Sequence, residues 1–165
     1  TNVLVEIANE YRISGFDHPI IFREEGEAEL MGLVRSTAPA LPVSTSGMGD
    51  AKYPETLAEA ADFILLHGNN TEPEDYPGRI QALKGFGKPI VFNEDWCYSD
   101  DTRGVADAVI KMKTALVNGA SWGNMNQKRN QIWPFIFDIG SPENGPNARE
   151  DFALYQAMAE MLGFR

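Results

Sequence analysis

A chain of 165 residues, 43% apolar and 23% charged, has the make-up of one ordinary soluble globular domain. Its 14 basic and 24 acidic residues leave a net charge of −10, which argues against a nucleic-acid partner and against an anionic membrane surface. No apolar run approaches the ~20 residues of a membrane helix, and the single cysteine, Cys97, excludes an internal disulfide and any multi-cysteine zinc site.

In chain order, Val3-Leu4-Val5-Glu6-Ile7-Ala8 is a short apolar, partly β-branched run and predicts a buried strand that stops at Asn9-Glu10. Residues 24–36 predict a helix, with Glu24, Glu25 and Glu27 in its first turn and Leu30, Met31 and Val34 at helical spacing. A second strand is expected over 41–46, ended by Gly47 and Gly49, and a short helix over 53–61. The strand over 62–67 ends at His67, before Gly68-Asn69-Asn70. A helix over 76–86 turns Ile80 and Leu83 inward, and the strand over 88–93 ends at Glu94-Asp95. The helix over 102–117 aligns Val105, Val109, Met112 and Leu116, and Ala120-Ser121-Trp122-Gly123 is a short strand. A loop rich in Pro, Gly and Asn covers 124–147, and a last helix over 148–162 should bury Phe152, Tyr155, Ala159 and Leu162.

Strand then helix, five times, is the pattern of right-handed βαβ units on a parallel sheet, and no linker divides the chain. Such folds bind ligands at the C-terminal ends of their strands. Here those ends carry Asn9-Glu10, His67, Asn93-Glu94 and Trp122 followed by Asn124. Each has an ordinary explanation alone: a solvated loop, a hydrogen-bonded core histidine, a core tryptophan. Together they put two carboxylates, an imidazole and an indole on one face. Two carboxylates facing one cleft suit glycoside hydrolysis, one protonated to donate to the leaving oxygen and one ionised to attack or to activate water.

This ordered set resembles the clan A (β/α)8-barrel glycoside hydrolases, and within them the family-5-type cellulase-like proteins. Residues 5–10 match the clan's strand four, 64–69 its strand six, 89–94 its strand seven and 120–123 its strand eight. The resemblance implies a partial TIM barrel of α/β class and a retaining hydrolase of β-glycosidic bonds in a polysaccharide or oligosaccharide. It makes Glu10 the acid/base and Glu94 the nucleophile. Asn9 would hold the sugar 2-hydroxyl, His67 would orient the carboxylates, Trp122 would stack under the ring, and Asn124 would join the sugar site. It implies no cofactor and no metal, a carbohydrate as partner, and secretion, which is usual for such enzymes. Strands one to three of the barrel, with the Arg and His they often bring, have no counterpart. The chain is therefore expected to be a fragment, since it starts on a strand at Thr1 without Met. The other arrangements are a partner chain that supplies the first strands and an open five-stranded sheet.

Two rival readings are a non-catalytic carbohydrate-binding or structural protein on the same scaffold and a flavodoxin-like nucleotide or signalling domain. A central first strand would favour the flavodoxin-like order; sequential neighbours along an arc favour the barrel. Gly47-Met48-Gly49 and Gly85-Phe86-Gly87-Lys88 lack the full spacing of phosphate loops. Asn69-Asn70-Thr71 is a glycosylation pattern, taken as fortuitous because a glycan there would obstruct the cleft. Asp95, Asp100 and Asp101 read as a solvated acidic loop, with a cation site as the alternative and Asp101 as a helix cap. Cys97 lacks an evident base, and Trp133, Phe135 and Phe137 offer either a sugar-binding wall or a packed cover.

Overall fold

Five short strands alternate with five helices in a computed structural model that describes residues 3–13, 15, 18–95, 103–125 and 146–164. The strands are β1 (Val5–Glu6), β2 (Val43–Ser44), β3 (Ile64–His67), β4 (Ile90–Glu94) and β5 (Ser121–Trp122). The helices are α1 (Glu24–Thr37), α2 (Glu55–Ala60), α3 (Tyr76–Leu83), α4 (Arg103–Val117) and α5 (Pro146–Met161). The readings of Cys97, Asp100, Asp101, Trp133, Phe135 and Phe137, and of the side chains of Val105 and Phe152, fall outside the described residues.

Among the described residues all strand pairings are parallel and sequential. β1 lies beside β2, β3 beside β4 and β4 beside β5. A parallel bridge from Ser46 to Leu65 joins β2 to β3. The Asp62 side chain reinforces that junction by accepting from the Val43 N–H at 2.9 Å, while the Asp62 N–H donates to the Val43 carbonyl at 2.9 Å. Order 1-2-3-4-5 is that of a partial (β/α)8 barrel and not of a doubly wound sheet, in which the order reverses.

The core follows the sequence pattern. Ile64, Leu66, Ile90 and Phe92 pack with Leu57, Ile80 and Met112 from the helices. Lys88 closes the C-terminal end of α2 by donating to the carbonyls of Ala58 (2.6 Å), Glu59 (2.7 Å) and Ala61 (2.5 Å), where a cation suits both the orphan acceptors and the helix dipole.

Two expectations change. The first strand is two residues long and half-buried, and Val3 and Leu4 before it are exposed. Among the described residues β1 has a neighbour on one side only, so the burial expected of a strand covered on both faces is lacking. In α5 the inward face is turned: Leu154 is buried and Ala157 and Met158 pack on the core, whereas Tyr155 and Leu162 are exposed. Contact with α4 selects the Leu154 stripe, one position away from the one that periodicity suggested.

Gly26 marks a tight approach in α1. A Cβ there would lie 2.7 Å from Ile20 Cγ1 and 2.8 Å from the Ile20 carbonyl carbon. Backbone cannot yield as a side chain can, so Gly26→Ala is expected to destabilise by ~1–3 kcal/mol, in the range of overpacked sites. Thermal unfolding checks this, and an unchanged midpoint would contradict it.

Candidate active site

Three side chains from separate strand ends converge. Glu10 stands in the turn after β1, His67 ends β3 and Glu94 ends β4. His67 Nδ1 lies 3.2 Å from Glu10 Oε1 and 3.7 Å from Glu94 Oε1. One donor atom from each of the three falls within 4.8 Å of the other two, so the carboxylates face each other across the imidazole. His67 is fully buried, and the side chains of Glu10 and Glu94 are 14% and 17% exposed, enough for a ligand to reach them.

Local structure explains the convergence. The β3–β4 ladder runs Leu66 opposite Phe92 and then His67 opposite Glu94, with an irregularity between Leu66 and His67. A bulge of this kind re-aims a side chain; here it pairs His67 with Glu94 where a regular ladder would pair it with Asn93. Glu10 takes a left-handed backbone conformation with φ 52°, uncommon for a residue with a side chain. Its N–H donates to Ser46 Oγ at 2.8 Å, the Tyr11 N–H donates to the Ser46 carbonyl at 3.3 Å, and the Ile13 N–H donates back to the Glu10 carbonyl at 2.6 Å. These bonds hold the turn in a conformation that costs on the order of 1 kcal/mol and is typical of functional sites.

Sequence reasoning missed several supporting groups. Asn69 donates its amide to Glu94 Oε1 at 2.6 Å, so the nitrogen of the apparent glycosylation pattern is engaged by the site itself. Glu6 lies among the same charges. Burial raises its carboxyl above the usual range, a Ser46 hydrogen bond and the His67 charge oppose this, and the charges of Glu94 and Glu10 add to it. Asn93 donates to Glu6 Oε2 at 3.5 Å.

Asp95 is the clearest correction. It is fully buried and accepts from Lys111 Nζ at 3.0 Å, from Trp122 Nε1 at 2.7 Å and from the Tyr76 hydroxyl. It is no member of a solvated acidic loop. The charged partner sits on α4, far along the chain, and no local pattern announces it. Trp122 is 7% exposed and borders a cavity of ≈ 240 Å³ with Met112, Leu116, Met158 and Leu162, between β5 and the helices. Asn9 is exposed beside Glu10, and Asn124 is half-buried, its Oδ1 shielded and without a hydrogen-bond partner. The carboxylates and imidazole thus come together, Asn9 and Asn124 lie in the flanking loops, and Trp122 belongs to the core. Among the described residues, the donor atoms of Glu10, His67 and Glu94 are also the group that could hold a metal ion.

Beneath the site, Glu27 of α1 is buried although its position reads as an exposed first-turn acid. Burial raises its carboxyl, the Thr45 hydroxyl opposes the shift, and the Glu6 charge adds to it. A raised folded-state value means that the native state binds the proton more tightly than the unfolded chain. This contribution to stability is present below the ordinary value of 4.5 and is lost as pH rises through the raised one. Glu27→Gln is therefore expected to raise the melting temperature at pH 7 and to leave it unchanged at pH 4. A lower midpoint at pH 7 would contradict the assignment.

The chain matches no family model and no curated protein. Among solved structures it is similar to the endo-1,4-β-D-mannanase from Thermotoga petrophila RKU-1, solved with maltose and glycerol, at a TM-score of 0.52 and 14% sequence identity. The likeness covers 82% of this chain and 51% of that one, so the chain spans about half the length of the mannanase structure. At that identity the likeness is one of fold alone.

Proposed function

We propose that this chain carries the two-carboxylate site of a retaining glycoside hydrolase acting on β-glycosidic bonds of a polysaccharide or oligosaccharide. The observation that carries the reading is the convergence of Glu10 and Glu94 on His67, with carboxylate oxygens within 4.8 Å. Retaining pairs keep their carboxyl groups ~5–5.5 Å apart, whereas inverting pairs leave ~6.5–9.5 Å for a water. The fold likeness to a mannanase supports the same reaction class.

In this reading Glu94 attacks the anomeric carbon while Glu10 protonates the departing glycosidic oxygen. The glycosyl–Glu94 ester then breaks as Glu10 takes a proton from the attacking water. His67 fixes the two carboxylates relative to each other. Asn69 steadies the Glu94 oxygen that it bonds, so the other oxygen is the one free to attack. Asn9, exposed beside Glu10, reaches the sugar 2-hydroxyl, and Asn124 lines the flanking loop.

The test is incubation with β-1,4-mannan, soluble cellulose derivatives and aryl β-glycosides. Released reducing ends are measured, and the first-formed anomer is read by proton NMR. Release of the β-anomer first is expected. Binding of these glycans without hydrolysis would instead make the protein a carbohydrate-binding module, and α-anomer first would make the pair inverting.

A further inference from the structure

We propose that Asp95 is a positioning residue for Glu94, and that Trp122 serves it through its indole N–H and gives no ring face to a sugar. The inference rests on the reading of Glu94 as nucleophile and adds what holds that carboxylate in place.

Asp95 follows Glu94 directly, so whatever fixes one peptide fixes the next. The backbone is pinned from both sides: the Gly68 N–H donates to the Glu94 carbonyl at 2.8 Å, and the Met125 N–H donates to the Asp95 carbonyl at 3.3 Å. The Asp95 side chain turns away from the cleft. Its Oδ1 takes Lys111 Nζ, which also donates to the Gly68 carbonyl at 3.3 Å, and its Oδ2 takes Trp122 Nε1 and the Tyr76 hydroxyl. One buried carboxylate thereby ties the ends of β3, β4 and β5 to α3 and α4. The fit is close, because a Cβ on Gly68 would lie 2.8 Å from Asp95 Oδ2 and 2.9 Å from its Cγ. The Tyr76 ring is also held, stacked on Phe92 of β4 at 4.7 Å between centroids.

A buried ion pair gives little stability beyond what apolar side chains of the same volume would give. What it adds is one defined arrangement, because each charge must keep its partner. Here the arrangement sits one residue from a carboxylate whose direction decides the reaction. Trp122 places its N–H in this network and, only 7% exposed, borders an apolar cavity walled by α4 and α5 side chains, so its ring belongs to the helix side of β5 and takes no part in sugar stacking.

The experiment compares Trp122→Phe and Tyr76→Phe with the parent protein. Each removes one donor to Asp95; Tyr76→Phe keeps its ring, and Trp122→Phe puts a smaller phenyl ring in place of the indole. Steady-state kinetics on an aryl β-glycoside are measured alongside the ¹⁵N signals of the His67 imidazole, which lies between Glu10 and Glu94. The expected result is a kcat lower by about 10- to 100-fold, the scale of a lost hydrogen bond to a charged group, with KM unchanged and the His67 signals moved. A raised KM with unchanged kcat in Trp122→Phe would make the ring a sugar platform and overturn the proposal. Unmoved His67 signals in both variants would overturn it whatever the kinetics. If Trp122→Phe does not fold, Tyr76→Phe decides alone, since it removes a single oxygen. If the parent protein hydrolyses no glycoside, the hydrolase reading fails by itself, and the His67 signals still decide whether Asp95 holds Glu94.

Discussion

Glu94→Ala is expected to lower kcat by about 10⁴-fold or more, the scale on which enzymes lose turnover when a nucleophile is removed, while the fold survives. The reason is geometric. Glu94 is the carboxylate that receives both the Asn69 amide at 2.6 Å and the pinned backbone of the β4 end, and no other described carboxylate has that support. Glu10 cannot substitute for it, because attack on the anomeric carbon and protonation of the leaving oxygen come from opposite sides of the broken bond. The fold should not suffer. Glu94 stands among like charges, and its charge helps to raise the carboxyl of Glu6. Removing it relieves that repulsion, so the melting temperature should hold or rise, as at other sites where function opposes stability. Small carboxylates or azide added to the variant should enter the space left by the side chain and restore turnover. Turnover near that of the parent protein would remove Glu94 from the mechanism.

The second large effect is expected for Glu10→Gln. Loss of a general acid and base commonly costs 10²- to 10⁴-fold in rate. The loss should depend on the substrate. An aryl glycoside whose phenolate leaves without protonation should react in the first step almost as fast as with the parent protein and then stall as the glycosyl–enzyme ester. An alkyl or sugar leaving group should show the full loss. The amide keeps the size of the carboxylate, so the φ of 52° and the Ser46 anchor should persist. Equal losses on both substrates, with no stalled ester, would contradict the acid/base role of Glu10.

The parts of this molecule that were legible in the sequence are those set by local pattern. Apolar runs of strand length, amphipathic spacing in α1 and α4, and the β-then-α rhythm give the parallel order of the strands. The residues at the strand ends give Glu10, His67 and Glu94. What sequence could not supply depends on contacts between distant segments. Asp95 reads as one acid in a polar stretch, and only the fold brings Lys111, Trp122 and Tyr76 to it. Lys111 itself lies beside Met112 in a helix whose charged residues read as solvent-facing, yet it is buried. Asn69 reads as part of a fortuitous glycosylation pattern, and only the fold sets its amide against Glu94. The inward face of α5 missed by one position because its partner is α4, and periodicity names a stripe without naming what lies across from it. Glu27 shows the same limit: acids at helix starts favour the dipole and solvent, and its burial against Thr45 and Glu6 comes from tertiary packing.

A retaining mechanism requires Glu94 to form a covalent bond to a sugar. The direct measurement is to incubate the protein with 2-deoxy-2-fluoro-β-glycosyl fluorides of the gluco and manno series, weigh the intact protein and map the labelled peptide. A mass gain of one fluoroglycosyl group on Glu94 is expected, slowly lost when an acceptor sugar is added. Hydrolysis of β-glycosides with no label on Glu94, or with the label on another residue, would contradict it.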